Sequence, residues 1–180
     1  MFCLTVNDNL ELCLLEDKHA QQLFELVDKN RDHLRRWLPW VDSTTSIKHS
    51  QAFVESALQQ YTSNEGFQTA ILHHNNLIGM VGYHTIDWTN RNVEIGYWIA
   101  ADFQGRGLMT QACRFLVNYA FTTLKLNRVV IRCAVGNSKS AAIPKRLGFT
   151  WEGILRQQQQ LNGRYVDLVV YSMLAQEWMQ

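Results

Sequence analysis

The sequence has only two prolines, Pro39 and Pro144, and no glycine- or serine-rich stretch, so nothing in it marks a linker at which the chain divides. A single domain over residues 1–180 is expected, a length at which folding buries about 70% of the unfolded surface. Long apolar runs are lacking too. None approaches the roughly 20 residues that cross a bilayer as a helix, and the segment from Met1 to Leu10 carries Asn and Asp where a secretory leader is basic and then apolar. Charge of one sign is also missing: 17 Lys plus Arg stand against 16 Asp plus Glu. That balance excludes a global field for nucleic acid or an anionic membrane, and neither is expected as a direct partner. The four cysteines, Cys3, Cys13, Cys113 and Cys133, show neither zinc-site spacing nor the framework of a small secreted domain. A soluble protein of the reducing cytoplasm is the expectation. The histidines lack metal-ligand spacing, so no metal is expected either.

What the sequence does have is two hydrophobic periods. Leu10 to Leu15 alternates as a strand. Lys18 to Trp37 follows a helical period, with Ala20, Leu23, Phe24, Val27 and Leu34 on one stripe and an interruption at Asn30. A second helix is predicted over Ser46 to Thr62 from the Ser43 to Ser46 caps and the stripe Phe53, Ala57, Leu58 and Tyr61. Strands at Phe67 to Leu72, Leu77 to Ile86 and Val93 to Ile99 form a meander, the first turn being His73-His74-Asn75-Asn76. Then come a helix over Leu108 to Thr123, a strand over Val129 to Val135, a helix over Ser138 to Leu147, and two strands joined by Asn162-Gly163. The order βααβββαβαββ implies a mixed α/β (α+β) fold: about seven strands, mainly antiparallel, with one central parallel pair and helices on both faces.

In such sheets ligands bind beyond the carboxyl ends of strands, at a helix N-terminus. Here that place follows Ile99 and holds Gln104-Gly105-Arg106-Gly107-Leu108-Met109-Thr110. Two glycines bare the main chain, the helix start adds partial positive charge, and Arg106 adds a cation, a combination suited to a pyrophosphate. The loop alone leaves open a helix start that uses glycine only for its turn. A P-loop would need Gly-Lys-Ser/Thr, and a dinucleotide fingerprint would need Gly where Thr110 stands.

The loop resembles the Arg/Gln-x-x-Gly-x-Gly/Ala signature of GNAT acetyltransferases. Gln104 and Gly107 match, and Met109 departs at the last position. Glu94-Ile95-Gly96-Tyr97-Trp98-Ile99 resembles a strand of the RimJ/RimL branch of that family. Asn137-Ser138-Lys139-Ser140 with Leu147-Gly148-Phe149 resembles its downstream half. Leu34-Arg35-Arg36-Trp37-Leu38-Pro39-Trp40, Glu152-Gly153 and Leu161-Asn162-Gly163 extend the likeness over nearly the whole chain, nearest to ribosomal-protein-serine acetyltransferases. The resemblance implies a GNAT-like fold and an acetyl-CoA-dependent N-acetyltransferase, with an N-terminal serine of a ribosomal protein as acceptor. Polyamines or other small amines, or a non-catalytic acyl-CoA-binding regulatory module, are the alternatives.

It also implies roles. The pyrophosphate of acetyl-CoA would lie on Gln104, Gly105, Arg106, Gly107, Leu108, Met109 and Thr110, and the pantetheine arm against the main chain of Trp98, Ile99 and Ala100. Asn137 would bond that arm, and Ser140 the departing sulfur, unless Ser140 caps its helix instead. A carboxylate must accept the amine proton. Glu94 and Glu152 are both candidates, with a salt-bridged or surface position as the alternative for each. Apart from the resemblance, two tryptophans and two arginines crowd around Pro39, which suits an acceptor-pocket wall lined by Trp37 and Trp40 with Arg35 or Arg36 pairing with acidic substrate groups; the alternative is tryptophans that anchor the connection in the core. Cys113 and Cys133 read as buried thiols, so direct transfer is expected, without an acetyl-enzyme. The strands from Gln157 to Met173 offer an edge or face for a homodimer.

Overall fold

Alternating apolar residues along the strands build a frame with two buried faces. In the computed structural model, which describes residues 2–178, eight strands form one sheet. They are β1 (Cys3–Asn7), β2 (Leu10–Leu14), β3 (Phe67–His73), β4 (Asn76–Tyr83), β5 (Asn92–Ile99), β6 (Arg128–Ala134), β7 (Thr150–Leu161) and β8 (Arg164–Leu174), in the spatial order β1-β2-β3-β4-β5-β6-β8-β7. All neighbours are antiparallel except β5 and β6, the parallel pair at the centre.

Leu12 and Ile71 point to the face packed by α4 (Leu108–Thr122), whose Ala112, Cys113, Leu116, Val117 and Ala120 are fully buried. Their neighbours Cys13, Ala70 and Leu72 point to the opposite face, packed by Ala20 and Leu23 of α1 (His19–Lys29) and Val54 and Ala57 of α3 (Ile47–Thr62). Successive strand residues thus serve different helices. Tyr83, buried between β4 and α4, donates its hydroxyl proton to Leu116 O.

The Lys18 to Trp37 helix is two helices. Asn30 ends α1, and a single turn, α2 (Arg31–Leu34), follows it. Asn30 is buried because both ends of its amide are used: Nδ2 donates to Leu26 O at 2.9 Å, and Oδ1 accepts from Ala101 N at 2.9 Å. The second bond ties the α1–α2 break to the exit of β5. In α3 the buried residues are Ser50, Val54 and Ala57, whereas Phe53 and Tyr61 of the expected stripe are exposed.

Two expectations are corrected. An eighth strand, β1, precedes those read from periodicity; its half-exposed edge position gives CLTVN no strong alternation. In the β1–β2 register Cys3 faces Cys13, and the two are joined by a disulfide. An expectation of a reducing compartment drawn from scattered cysteines therefore does not extend to this pair. Cys113 and Cys133 are free and buried. No helix among the described residues is long and apolar enough to cross a membrane.

Candidate active site

The central strands part company. β5 and β6 pair only over Asn92–Glu94 and Arg128–Val130, and beyond Glu94 a seam opens between them. Ala100 donates its N–H to Ile78 O of β4. By alternation Gly96, Trp98 and Ala100 then spend their main-chain groups on β4, while Ile95, Tyr97 and Ile99 present theirs to the seam. Of the three main-chain contacts expected for a pantetheine arm, Ile99 faces the seam; Trp98 and Ala100 do not. A cleft of about 1040 Å³ opens here, with Tyr97, Trp98 and Ile99 in its wall.

The glycine loop forms the far end of this cleft. Gly105 and Gly107 hold left-handed backbone, φ +73° and +76°, which a side chain would strain. A Cβ added at Gly105 would meet nothing within 4 Å, and one at Gly107 only Gln111 Nε2 at 3.8 Å, so the ground before the loop is open. Gly107 N-caps α4, and the first turn of a helix leaves its amides, here those of Leu108, Met109 and Thr110, without carbonyl partners. The Met109 side chain is buried beneath the loop, so the departure from a small residue falls on packing and leaves the amide in place.

Gln104 organises the rim: its Nε2 lies 2.8 Å from His33 Nε2, and its Oε1 accepts from Lys139 Nζ at 2.7 Å. Burial lowers the pKa of His33, opposed by a bond to the Ile99 main chain, and so favours the neutral ring. Arg146 donates to Thr110 Oγ1 at 2.7 Å. Arg114, Lys139 and Arg146 all line the cleft, whereas Arg106, the cation expected there, lies over the Phe103 ring at 5.2 Å from its centroid. Arg114 stands one turn past Thr110 on α4 itself, whereas Lys139 and Arg146 are brought to the loop from α5, Arg146 lying 36 residues from Thr110.

The helix α5 (Ser138–Arg146) supplies the polar wall. Asn137 is its N-cap and accepts from Ser140 N at 3.2 Å, so the capping role considered for Ser140 belongs to Asn137. Pro144 lies inside α5 and has no N–H to give to the carbonyl four residues back, which is that of Ser140. Tyr97 takes up that carbonyl, its hydroxyl donating to Ser140 O at 3.0 Å, while Ser140 Oγ donates to the Tyr97 oxygen at 3.3 Å. Burial pushes the Tyr97 hydroxyl well above the ordinary phenol range, so it keeps its proton. The result is a pair of hydroxyls in the cleft, of which Ser140 alone was expected to act.

The two expected carboxylates are elsewhere. Glu94 and Glu152 line a second groove of about 540 Å³ together with Arg128, Val130 and Arg132. Val129 and Ile131 face α4, so these alternate residues of β6 lie on the opposite face of the sheet. Glu94 is gripped by Arg132 through Nε, at 2.8 Å, and Nη2. Glu152 takes a two-pronged bond from Arg128, at 2.6 and 2.5 Å, and a third from Ser172 Oγ at 2.7 Å. The Arg128 guanidinium, opposed by partial burial and aided by Ser172, lowers the pKa of Glu152 to about 2.

The segment after α2 bridges the seam's outer end. The Trp37 ring reaches Gly136 beyond β6, where an added Cβ would lie 4.0 Å from Trp37 Cη2. Trp40 packs tilted on Trp98 at 6.0 Å between centroids. Arg35 pairs with Asp42 at 3.0 Å, and its carbonyl accepts from Asn162 Nδ2, 2.9 Å away, at the β7–β8 turn. Among the described residues no group of three His, Cys, Asp or Glu side chains could hold a metal ion.

Known proteins resemble this chain in sequence and fold. Residues 9–150 match the family model described as Acetyltransferase (GNAT) domain. YdaF of Bacillus subtilis (strain 168) is 42% identical over 99% of this chain and 98% of its own. The ribosomal-protein-serine acetyltransferase of Escherichia coli (strain K12) is 30% identical over 94% of each chain. A solved structure titled RimL, ribosomal L7/L12 alpha-N-protein acetyltransferase in complex with coenzyme A, superposes with a TM-score of 0.93 at 30% identity, covering 96% of this chain and 98% of that one.

Proposed function

Because this chain belongs to the GNAT acetyltransferase family, and is an N-acetyltransferase that uses acetyl-CoA, we propose that its acceptor is the free α-amine of a protein N-terminus, with the N-terminal serine of a ribosomal protein as the specific target. The observation that carries the acceptor is the likeness over almost the full length to a ribosomal-protein-serine acetyltransferase. Chemistry favours the same class. A protein α-amine has a reference pKa of about 7.7–8.0, against about 10.4 for lysine, so an N-terminus asks far less of a base before its nitrogen can attack. Residues 1–180 are taken as one N-acetyltransferase domain.

The residues fit the coenzyme. Open space before Gly105 and Gly107, the amides of Leu108, Met109 and Thr110, and the cations Lys139 and Arg146 suit a pyrophosphate. The seam-facing main chain of Tyr97 and Ile99, with the side-chain amide of Asn137, suits an extended arm added as a further strand. Bound acetyl-CoA supplies the acyl thioester. Ser140 Oγ turns its proton from the Tyr97 oxygen to the sulfur as it leaves, while Tyr97 stays bonded to Ser140 O and holds Ser140 in place, since a thiol of pKa about 8.5 is only a moderate leaving group. Cys113 and Cys133 are buried, and burial raises both thiols, which supports transfer without an acetylated cysteine. Glu152, with a pKa of about 2, has little affinity for a proton at neutral pH and serves as a structural ion pair with Arg128.

The acceptor is tested by incubating the protein with acetyl-CoA and a panel of Ser-, Ala- and Met-initiated peptides, a peptide blocked at its α-amine but carrying lysine, and spermidine. Mass spectrometry should find acetyl groups on α-amines, with serine preferred. Modification confined to lysine or spermidine overturns the proposal.

A further inference from the structure

β4 ends at Tyr83, and the next residue continues its ladder: His84 donates its main-chain N–H to Glu94 O at 2.9 Å. With Gly82 opposite Gly96 and Tyr83 opposite Ile95, alternation sends the His84 side chain to the face of Glu94, Gly96 and Trp98. That is the face opposite the Tyr97–Ser140 hydroxyls. Gly96 is not in left-handed backbone, so its lack of a side chain matters for space. A Cβ added there would lie 2.5 Å from His84 Nε2 and 3.1 Å from Cε1. The imidazole therefore rests its Nε2 edge against the bare main chain of Gly96, just past Glu94, where β5 leaves β6 and the seam begins. His84 is solvent-exposed, so a substrate can reach it.

We propose that His84 is the catalytic proton acceptor, working across the sheet from the hydroxyl pair; this rests on the acetyl-transfer reading above. As the amine nitrogen forms its bond to the acyl carbon, His84 Nε2 takes the proton that the nitrogen sheds. The C–S bond breaks with its electron pair going to sulfur, which Ser140, held in place by Tyr97, stabilises from the other face. His84 stands across from Glu94 on the same face, and what distinguishes it from the carboxylates is bonding: Glu94 and Glu152 are each gripped by an arginine, while the His84 ring stands over Gly96, which carries no side chain. An imidazole also suits the task chemically, because one nitrogen of its neutral ring carries a lone pair that can accept a proton.

The test compares the wild type with His84→Ala and His84→Gln, using a Ser-initiated peptide with a free α-amine. Both variants should lose about 100-fold or more in kcat, while coenzyme A affinity by calorimetry changes less than about twofold and circular dichroism is unaltered. Added imidazole should restore turnover to His84→Ala and leave the wild type unaffected. In 13C-histidine spectra of the wild type, the His84 ring resonances should move when the peptide is added and stay still with its Nα-acetylated form. Near-normal turnover in His84→Ala, or a loss that imidazole does not rescue with ring resonances unmoved by peptide, overturns the proposal. The acceptor assignment fails separately: if the wild type acetylates spermidine and no peptide, that assignment falls, and the same His84 comparison is decided with spermidine.

Discussion

At the scale of single residues, the site depends on groups that lack something. Pro144 lacks the N–H that would have occupied Ser140 O, and Tyr97 fills that gap, so an apparent defect in α5 fixes the hydroxyl beside Ser140. Gly96 lacks the side chain that would exclude the His84 ring. Glu152 lacks the proton affinity of an ordinary carboxylate, and this has a consequence for stability. A carboxyl held below its unfolded value stabilises the fold fully above that value and loses the contribution as pH falls through the folded one. For Glu152 the window runs from its reference value of 4.5 down to about 2. The wild-type melting temperature should therefore fall more steeply across that window than that of Glu152→Gln, as followed by circular dichroism. Parallel curves would show that Arg128 does not hold the carboxylate. The effect should be modest, because the pair is partly solvated.

At the scale of elements, the decisive join is the loop that turns β5 into α4. Gly107→Glu would put a carboxylate before the helix N-terminus and force a side chain onto a residue with φ of +76°. Coenzyme A binding should fall by at least about 100-fold by calorimetry, with circular dichroism unchanged; retained affinity would place the pyrophosphate elsewhere. This loop was legible because its information is local: two glycines, a strand before and an apolar helical period after. Helix and strand bounds were legible for the same reason, as at α3 and the β7–β8 turn. The edge strand β1 was not, since a half-exposed strand paired on one side has little pattern to show. The stripe on α3 was misplaced because Ser50 and Val54 pack inward where Phe53 and Tyr61 had the stronger hydrophobic claim. Arg128, Arg132 and Arg146 escaped notice because their partners lie across the sheet or on other elements. No spacing rule reaches that far. His84, separated in sequence from Gly96 by a loop, belongs with them.

At the scale of the molecule, the sheet is two blocks meeting along a short contact. Five residue pairs join β4 to β5 and seven join β6 to β8, but only three join β5 to β6. Main-chain amides should report this difference. Without coenzyme, Tyr97 and Ile99 N–H should exchange with solvent much faster than the β4-bonded amides of Gly96 and Trp98. Saturating coenzyme A should slow the first pair by about tenfold or more. Equal rates in the two sets would contradict the seam. The sparse join also has a mechanical meaning. A load pulling the first five strands from the last three would find its weakest line between the centre strands, and a cosubstrate lodged there would carry part of the tension, so that each turnover stiffens the protein and then lets it slacken.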